Sequence, residues 1–421
     1  MVAYFLFLLK HLAIRQPAGI KDDSNYVVFV GSINQMTSVA ETVDALRAKG
    51  GHVTEIAHRK VLNTTERKQR YIPFTFSILD VFKSLILIFR NGSSLYKEIR
   101  EKHPAAIDFY LDNFFGVYTY LIYFHRVLHQ INPDFVITAN DHNSSNRSLL
   151  AVAHYLRIKT VYLQHASVST LFPALRVDYA FLDGQSAWDT YKQCEPNQPV
   201  SGRNVPDTQV ILSGQKKHLR VNESMTDVVG VALNALDDAD AAIEFVEGLA
   251  ANGRKVCVRW HPGQPERQIR RYRAAFAYNK MVELSDPKKE PVSDFFLRIG
   301  YVVAGNSSIH LEAALAGILP IYYELTPADI PDYYGYVKHG LSRFAKTLDE
   351  VSRLIEASEG HHKPDVEAVR YYSSTYLTDW DGREGELVAE CLQRLANGQE
   401  LPVGMSGLGK SFDGSPTGAL T

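Results

Sequence analysis

The chain has few cysteines, almost no net charge and no long hydrophobic run. Its 421 residues include three cysteines, which lie far apart and form no CxxC pair or Cys/His cluster. This pattern argues against a disulfide framework and against a structural zinc site. The formal net charge of −2 does not favour nucleic acid as a partner. We therefore expect a protein of a reducing, cytoplasmic compartment without a nucleic-acid ligand.

The apolar stretches are shorter than the roughly 20 residues that a membrane span needs. Residues 1–9 have no basic residue in front of them and no small-residue cleavage site behind them, so they do not fit a signal peptide. Residues 76–90 (FSILDVFKSLILIFR) follow a region rich in basic residues: His58, Arg59, Lys60, Arg67, Lys68 and Arg70. This combination suits an anionic membrane surface. The alternative is a buried helix beside a solvated loop.

What is present is the composition of a large folded protein. Hydrophobic residues make up 45% of the chain and charged residues 22%, which excludes a disordered or fibrous protein. At about 150 residues per domain, the length corresponds to roughly three domains, and two larger α/β domains fit as well.

The first half alternates between short apolar strands and helices. Tyr26–Val30 and residues 52–57 have the pattern of strands on either side of a helix at 37–49. Residues 134–139 and 160–163 repeat that arrangement around a helix at 146–156, and residues 78–131 are mostly helical in pattern. This alternation predicts a doubly wound domain over residues 1–220.

The second half repeats the alternation. Strands are predicted at residues 228–233, 255–260, 301–304 and 319–323, with helices between them. We expect a second α/β domain over residues 221–378 and a C-terminal helix within 379–396. Glycine, serine and proline accumulate after that helix, which predicts a flexible tail over 397–421.

Polar residues follow four of the predicted strands at their carboxyl ends. In an open parallel sheet, ligands bind beyond those ends. The polar segments are residues 140–145, Gln164-His165, His261-Pro262 and Ser307-Ser308.

The pair Ser307-Ser308 opens a predicted helix at 309–316. A helix N-terminus offers unpaired N–H groups and a partial positive charge, so it attracts anions. The two hydroxyls would add donors, and Gly305 would let the backbone approach closely. The alternative is that Asn306 or Ser307 only caps the helix.

His261 follows a strand directly, and Pro262 fixes the turn. An imidazole there can donate to a phosphate oxygen and, when protonated, neutralise its charge. Together, the His-Pro and Ser-Ser pairs resemble those of GT-B glycosyltransferases that use CMP-activated sugars, namely bacterial sialyltransferases and capsule-type Kdo transferases. CDP-glycerol polyol-phosphate transferases share the two pairs. The segments that carry the resemblance are residues 259–262 (RWHP) and 305–313 (GNSSIHLEA).

The resemblance implies an α/β protein of the GT-B fold, with two Rossmann-like doubly wound domains facing a cleft. It also implies that His261, Ser307 and Ser308 hold the phosphate of a nucleotide donor. Asn234 ends the first strand of the second domain, where it could reach the donor. Glu312 could accept from a ribose hydroxyl, or simply pair on the helix surface. The remaining residues of the predicted donor site are Pro262, Gly305 and Asn306.

The sequence departs from two neighbouring patterns. Retaining GT-B enzymes often carry a second glutamate where this chain has Pro320, so the pattern favours an inverting enzyme. Nucleotide-sugar 2-epimerases resemble residues 312–317 (EAALAG), but the preceding serine pair fits the transferases better.

Two Asp-x-Asp matches are poor candidates for a metal site. Asp238-Ala239-Asp240 lies at a predicted helix start, where acidic residues favour the helix dipole, and residues 379–381 (DWD) lie in a late loop. Hard cations need converging oxygen ligands rather than a motif alone. We predict no metal ligand at either position.

The predicted reaction is attack of an acceptor hydroxyl on the anomeric carbon while the nucleotide phosphate leaves. A base in the first domain would take the hydroxyl proton. The candidates are Asp141 and His165. His165 is slightly favoured, since polyol-phosphate transferases, by resemblance, carry a histidine in such a loop. The alternative for each residue is an ordinary loop cap.

We therefore predict an inverting, metal-independent glycosyltransferase of surface polysaccharide synthesis, such as capsule or lipopolysaccharide, that needs no cofactor. Its partners would be a nucleotide-sugar donor, with sialic acid or Kdo on CMP as the example, and a glycan or lipid-linked acceptor. The expected location is the cytoplasm, with peripheral contact at the inner face of the membrane left open. The alternatives are a polyol-phosphate transferase and a catalytically silent GT-B-like subunit of a polysaccharide assembly complex.

Overall fold

The chain divides into two compact units in a computed structural model. The first unit is Met1–Lys216 with Asp379–Thr421, and the second is Lys217–Thr378. The structure describes residues 2–12, 24–65, 68–197, 207–215, 219, 226–358, 364–401 and 409–411. Arg67, the predicted boundary at residues 220–221 and most of the predicted tail lie outside the described residues.

The first unit is built on an eight-stranded sheet. Its parallel strands are β1 Tyr26–Val30, β2 Val53–Ala57, β3 Tyr71–Pro73, β4 Phe135–Thr138, β5 Lys159–Leu163, β6 Tyr179–Leu182 and β7 Gln209–Leu212. Their order is β3-β2-β1-β4-β5-β6-β7, and a C-terminal strand, Gly409–Ser411, pairs antiparallel with β7.

Helices cover both faces of this sheet. They are α1 Val2–His11, α2 Ile33–Ala48, α3 Arg59–Leu62, α4 Ile78–Lys102, α5 Pro104–Ile131, α6 Ser144–Leu156 and α7 Gln185–Gln193. All five residues of β1 are buried, because in a doubly wound fold both faces of a central strand are covered. The helices α4 and α5 pack side by side and are joined at His103, with Pro104 opening α5.

The second unit contains six parallel strands. They are β8 Val229–Ala232, β9 Val256–Arg259, β10 Val282–Ser285, β11 Tyr301–Ala304, β12 Leu319–Tyr322 and β13 Arg343–Phe344, in the order β10-β9-β8-β11-β12-β13. Its helices are α8 Ala239–Ala251, α9 Glu266–Phe276, α10 Val292–Phe296, α11 Ile309–Leu315, α12 Leu348–Ala357 and α13 Val366–Tyr372.

The last helix, α14 Glu384–Ala396, belongs to the first unit. It packs against α2, and Gly385 makes this approach close. A Cβ atom on Gly385 would lie 2.5 Å from the Cβ of Glu41. The buried residues of α14, among them Leu387, Val388 and Leu392, join the core beneath β1 and β4.

Both sheets have the strand order of a Rossmann fold, so the prediction of two doubly wound α/β domains is confirmed. The strand order reverses between β1 and β4 in the first unit and between β8 and β11 in the second. Ligands of such folds bind beyond the carboxyl ends of the strands at that reversal. No helix in the described ranges is long and apolar enough for a membrane span.

Candidate functional site

The reversal point of the second unit brings together residues from two separate turns. Asn234 lies two residues beyond β8, and Gly305 directly follows β11. The Asn234 side chain donates from Nδ2 to the backbone oxygen of Asn306 at 3.0 Å and accepts at Oδ1 from the N–H of Leu236. Asn234 therefore ties the two turns together across the reversal.

Asn306 fixes a third loop at this edge. Its Oδ1 accepts from the N–H of Tyr333 at 2.8 Å and from the Tyr322 hydroxyl at 3.2 Å, while Nδ2 donates to the carbonyl of Ile330 at 2.8 Å. The bonds to Tyr333 and Ile330 hold the segment after β12 against the turn that precedes α11. The side chain of Asn306 therefore forms its hydrogen bonds within the protein and has a structural role.

The serine pair is partly exposed. The Oγ of Ser307 accepts from the N–H of Ile309 at 3.4 Å, which is the capping role considered from the sequence. Ser308 is the residue before the first helical position of α11, and its side chain makes no cap hydrogen bond. The hydroxyl of Ser308 is therefore not committed to capping α11.

His261 is exposed two residues beyond β9, the neighbour of β8, and Pro262 beside it is exposed too. Its Nδ1 accepts from the N–H of Gly263 at 3.0 Å. An acceptor Nδ1 in a neutral ring places the proton on Nε2. The turn therefore orients His261 as an exposed donor at the edge where the serine pair lies.

Glu312 lies one turn into α11, close to a buried arginine. Arg259 donates to the Oγ of Ser285 at 2.6 Å and to the carbonyl of Glu290 at 2.9 Å. Burial lowers the pKa of Arg259, whereas the negative charges of Glu290 and Glu312 raise it. The negative charge of Glu312 thus partly offsets the buried positive charge of Arg259. This resembles the alternative given in the sequence analysis, in which Glu312 pairs on the helix surface.

His310 supports this edge from inside, a role that the sequence analysis missed. The ring is fully buried, its Nε2 lies 2.9 Å from the carbonyl oxygen of Gly305, and its Nδ1 lies 3.1 Å from the Oγ of Ser342. Because a carbonyl only accepts, Nε2 carries the proton and Nδ1 accepts from the hydroxyl. The sequence indicated this role only through the position of His310, which lies three residues after Ser307 within residues 305–313.

In the first unit, Asp141 and His142 form a pair just after β4, at the reversal between β1 and β4. The carboxylate of Asp141 is buried and accepts from Nδ1 of His142 at 3.1 Å and from the Tyr191 hydroxyl at 2.9 Å. The other ring nitrogen of His142 lies 3.1 Å from Nδ2 of Asn140. The oxygen of that amide accepts from the N–H groups of His142 and Asn143, so the NH2 group faces the ring.

His165 lies beside this pair, two residues after β5, which neighbours β4. Burial lowers the pKa of His165, and the charge of His142 lowers it further. The charge of Asp141 and a hydrogen bond with the backbone of Ala139 raise it. The structure therefore brings Asp141 and His165 together and adds His142, which the sequence analysis did not single out although it adjoins Asp141.

The Asp-x-Asp matches were not predicted to bind metal, and the first has structural partners. Asp238 caps α8 by accepting from the N–H groups of Asp240 and Ala241, and Asp240 forms an ion pair with Arg271. The ranges that the structure describes contain no group of three or more histidine, cysteine, aspartate or glutamate residues arranged to hold a metal ion.

Comparison with solved structures identifies similar folds over nearly the whole chain. The UDP-N-acetylglucosamine 2-epimerase from Neisseria meningitidis, solved bound to UDP-GlcNAc, has a TM-score of 0.55 at 10% identity, covering 88% of this chain and 99% of that one. The calicheamicin glycosyltransferase CalG4 has a TM-score of 0.52 at 11% identity, covering 90% and 100%. The glycosyltransferase of kitacinnamycin has a TM-score of 0.52 at 11% identity, covering 88% and 99%.

No protein-family model matches the chain, and no curated protein matches its sequence. Identities of 10–11% establish similarity of fold and leave substrate and reaction to be argued from the site. With the two Rossmann-ordered sheets, these comparisons show that the chain has the GT-B fold predicted from the sequence.

Proposed function

We propose that the protein is an inverting, metal-independent glycosyltransferase that uses a nucleotide-sugar donor. One observation carries the proposal: three turns that follow the adjacent strands β9, β8 and β11 present His261, Asn234 and Ser307-Ser308 at the reversal point of a Rossmann sheet. That position is where folds of this kind bind nucleotides. Asn234 holds two of these turns together, and the Nε2–H of His261 and the hydroxyl of Ser308 are hydrogen-bond donors that suit the phosphate of a nucleotide sugar.

The second unit would stabilise the leaving nucleotide. As the bond between the anomeric carbon and the phosphate oxygen breaks, negative charge grows on the phosphate. In this proposal the Nε2–H of His261 and the hydroxyl of Ser308 donate to it, together with N–H groups at the start of α11. Donors fixed before the reaction contribute most, because they need not reorganise as the charge develops. The hydrogen bonds of Asn234, Asn306 and His310 fix the turn that carries Ser308, and the bond from the N–H of Gly263 to Nδ1 orients His261.

The first unit would supply the base. His165 takes the proton of the acceptor hydroxyl as its oxygen attacks the anomeric carbon. Its lowered pKa keeps the ring neutral, and so able to accept a proton, at neutral pH. Both oxygens of Asp141 accept hydrogen bonds inside the protein, so we assign Asp141 the role of positioning His142 beside His165.

The finer assignment concerns donor and acceptor. The segments 259–262 and 305–313 support a CMP-activated sugar, such as sialic acid or Kdo, because they carry the resemblance to transferases that use such donors. A surface polysaccharide of the capsule or lipopolysaccharide type, as a glycan or lipid-linked chain, is the corresponding acceptor.

Release of free nucleotide tests the proposal. The protein is incubated separately with CMP-sialic acid, CMP-Kdo, CDP-glycerol and UDP-N-acetylglucosamine, and the nucleotide is measured by chromatography. We expect CMP release that falls about 10²–10³-fold in the double variant Ser307→Ala/Ser308→Ala, by analogy with the loss of transition-state donors. Ser293→Ala is the matched control, since this serine lies in the short helix that precedes β11.

The other outcomes identify the alternatives. Release from CDP-glycerol alone would make the protein a polyol-phosphate transferase, a candidate that the position of His165 after β5 supports. No release from any donor, with donor binding retained, would make it a silent subunit of an assembly complex. Interconversion of UDP-N-acetylglucosamine at C2 would replace transfer by epimerisation, the activity that the name of one similar structure states.

We also propose contact with an anionic membrane surface through α4. Five large apolar side chains recur on one side of this helix with exposures between 42% and 91%: Ile78, Leu79, Phe82, Ile86 and Phe89. Lys83 and Arg90 flank them and are exposed. Such a face suits binding to an interface. Flotation with phosphatidylglycerol vesicles tests it: Phe82→Ser/Phe89→Ser should abolish co-flotation, and equal binding to phosphatidylcholine vesicles would contradict the role of charge.

A further inference from the structure

A cavity of about 610 Å³ lies between α4, α5 and α6 in the first unit, and its lining contains none of the residues proposed above for donor binding or for the base. Its lining includes Ala151, Val152 and Tyr155, in the last turns of α6. Asp141 precedes the first turn of that helix, and eight residues of helix from Ser144 to Val152 span about 12 Å. The cavity is therefore a separate place in the fold.

The walls of the cavity are mostly apolar. Leu87 from α4, Leu121 and Ile122 from α5, and Val152 from α6 line it. Ligand pockets commonly have volumes of about 300–1,000 Å³ and predominantly apolar walls with a few placed polar groups. The size and lining fit a hydrocarbon chain.

The polar groups around the cavity are mainly basic. They are Lys83, His125, Arg126 and His129, and Asp80 is the one carboxylate among the described residues of the lining. Asp80 is buried and engaged by Arg126, whose Nε lies 3.0 Å from Oδ1 and whose Nη2 lies 2.8 Å from Oδ2. Because that pair is neutral overall, the charge of Lys83 is not compensated within the lining.

The histidines add hydrogen-bonding capacity beside that charge. The rings of His125 and His129, one helical turn apart on α5, stack at 5.9 Å, and both residues are exposed. Tyr155 lies beside them, with its ring centre 5.9 Å from that of His125. A lysine and two imidazoles next to an apolar cavity complement an anionic head group attached to an apolar tail.

We propose that this cavity binds a single-chain anionic amphiphile, with the hydrocarbon chain among Leu87, Leu121, Ile122 and Val152 and the anionic group at Lys83, His125 and His129. The site is independent of the proposed transfer reaction. It shares Lys83 with the bilayer contact proposed for α4 but differs from it in kind, because it takes one chain from solution into the protein.

The probe for this site is dansyl-undecanoic acid, titrated into the full-length protein below the concentration at which the probe forms micelles. We expect saturable, one-to-one binding with increased, blue-shifted dansyl fluorescence. Ala151→Trp, on an exposed position that lines the cavity, should abolish it by filling the space. Lys83→Glu should raise Kd at least about tenfold, since a charge-assisted hydrogen bond is replaced by repulsion.

Lys97→Glu is the matched control, because it makes the same charge change at an exposed position of α4 outside the lining. Thermal unfolding of each variant verifies that it is folded, and undecanol as a competitor measures how much the anionic group contributes. Equal Kd values for wild type, Ala151→Trp and Lys83→Glu would overturn the proposal. The proposal would also be overturned if the protein bound vesicles but showed no saturable binding of the monomeric probe. It would likewise be overturned if the protein bound inorganic phosphate and undecanoate did not displace it.

Discussion

Replacing the buried His310 tests how the second unit holds its predicted donor site. The imidazole donates to the carbonyl of Gly305 and accepts from Ser342, and the rings of Tyr322 and Tyr336 lie 5.8 and 5.7 Å from it. His310→Leu leaves both polar partners buried and unpaired. An unsatisfied buried group costs about 1–3 kcal/mol, so with two such groups we expect the free energy of unfolding to fall by roughly 2–6 kcal/mol.

His310→Gln separates hydrogen bonding from titration. Glutamine can donate to a carbonyl and accept from a hydroxyl but carries no titratable group. We expect it to lose less stability than the leucine variant, because part of the bonding is retained. Both variants should raise KM for the donor more than they lower kcat, since His310 acts on the position of Gly305 and not on the reacting atoms.

The pH dependence gives a second, independent readout. Burial lowers the pKa of His310 to about 4, against the partial opposition of hydrogen bonds to Gly305 and Ala304 and of the charge of Asp332. His310 therefore takes up a proton near pH 6.5 in the unfolded chain but only near pH 4 in the folded protein. Stability falls as pH is lowered through that window, by on the order of 3 kcal/mol for this group. His310→Gln should lack that contribution.

Tryptophan fluorescence can isolate the second unit. Of the three tryptophans, Trp260 lies in the second unit and is 3% exposed, so a Trp188→Phe/Trp380→Phe background reports on that unit during urea unfolding. His261→Gln makes the same substitution at an exposed position of the same unit and is the matched control. Parallel loss of stability in wild type and His310→Gln between pH 6.5 and 4.5 would refute the reasoning. A leucine variant within about 0.5 kcal/mol of wild type would refute it equally.

Three further predictions concern other parts of the molecule. His165→Ala should lower kcat about 10²–10⁴-fold, and the acidic fall of the wild-type rate should lie below pH 6.5, because a lowered pKa keeps the base neutral; an unchanged kcat would exclude it as the base. Gly385→Ala should destabilise the first unit by about 1–3 kcal/mol by forcing α14 away from α2, whereas Gly116→Ala, with its nearest neighbour at 3.9 Å, should not. Asp238→Ala should cost about 1 kcal/mol as a lost helix cap with unchanged, EDTA-insensitive turnover; activity lost in the variant and restored by Mn²⁺ would contradict this.

Much of the fold was predictable, because central parallel strands are continuous apolar runs. Tyr26–Val30 and Tyr301–Ala304 are entirely buried, and both appear in the sequence as short hydrophobic segments ended by glycine. The predicted start of α2 at residue 37 was wrong. The helix begins four residues earlier, at Ile33, because Ser32 caps its N-terminus. β3 and β10 were missed for a different reason: Tyr71–Pro73 is three residues long and includes a proline, and Val282–Ser285 exposes Glu283.

For the candidate site, the sequence could predict which residues follow the ends of strands, and no more than that. Strand ends place His165, His261 and Ser307 at carboxyl edges, and the strand order puts those edges at the reversals. What a side chain does there depends on partners distant in sequence. Asn306 and Asn234 have the same residue type and were both predicted to reach the donor. The side chain of Asn306 bonds to Ile330 and Tyr333, and that of Asn234 bonds to the backbone of Asn306. Folding determines these partners.

The side chains of the proposed donor site differ in whether their hydrogen bonds are made within the protein. The polar side chains near the carboxyl ends of β8, β9 and β11 fall into two groups: Asn234, Asn306 and His310 form hydrogen bonds within the protein, whereas His261 is exposed and Ser308 is partly exposed. A rigid frame that holds a few free donors is what stabilisation of a developing negative charge requires, because donors that must first reorient contribute less. The bonds of Asn234, Asn306 and His310 fix the turn that carries Ser308, and the bond from the N–H of Gly263 to Nδ1 orients the ring of His261, so both proposed donors are held in place by the protein itself.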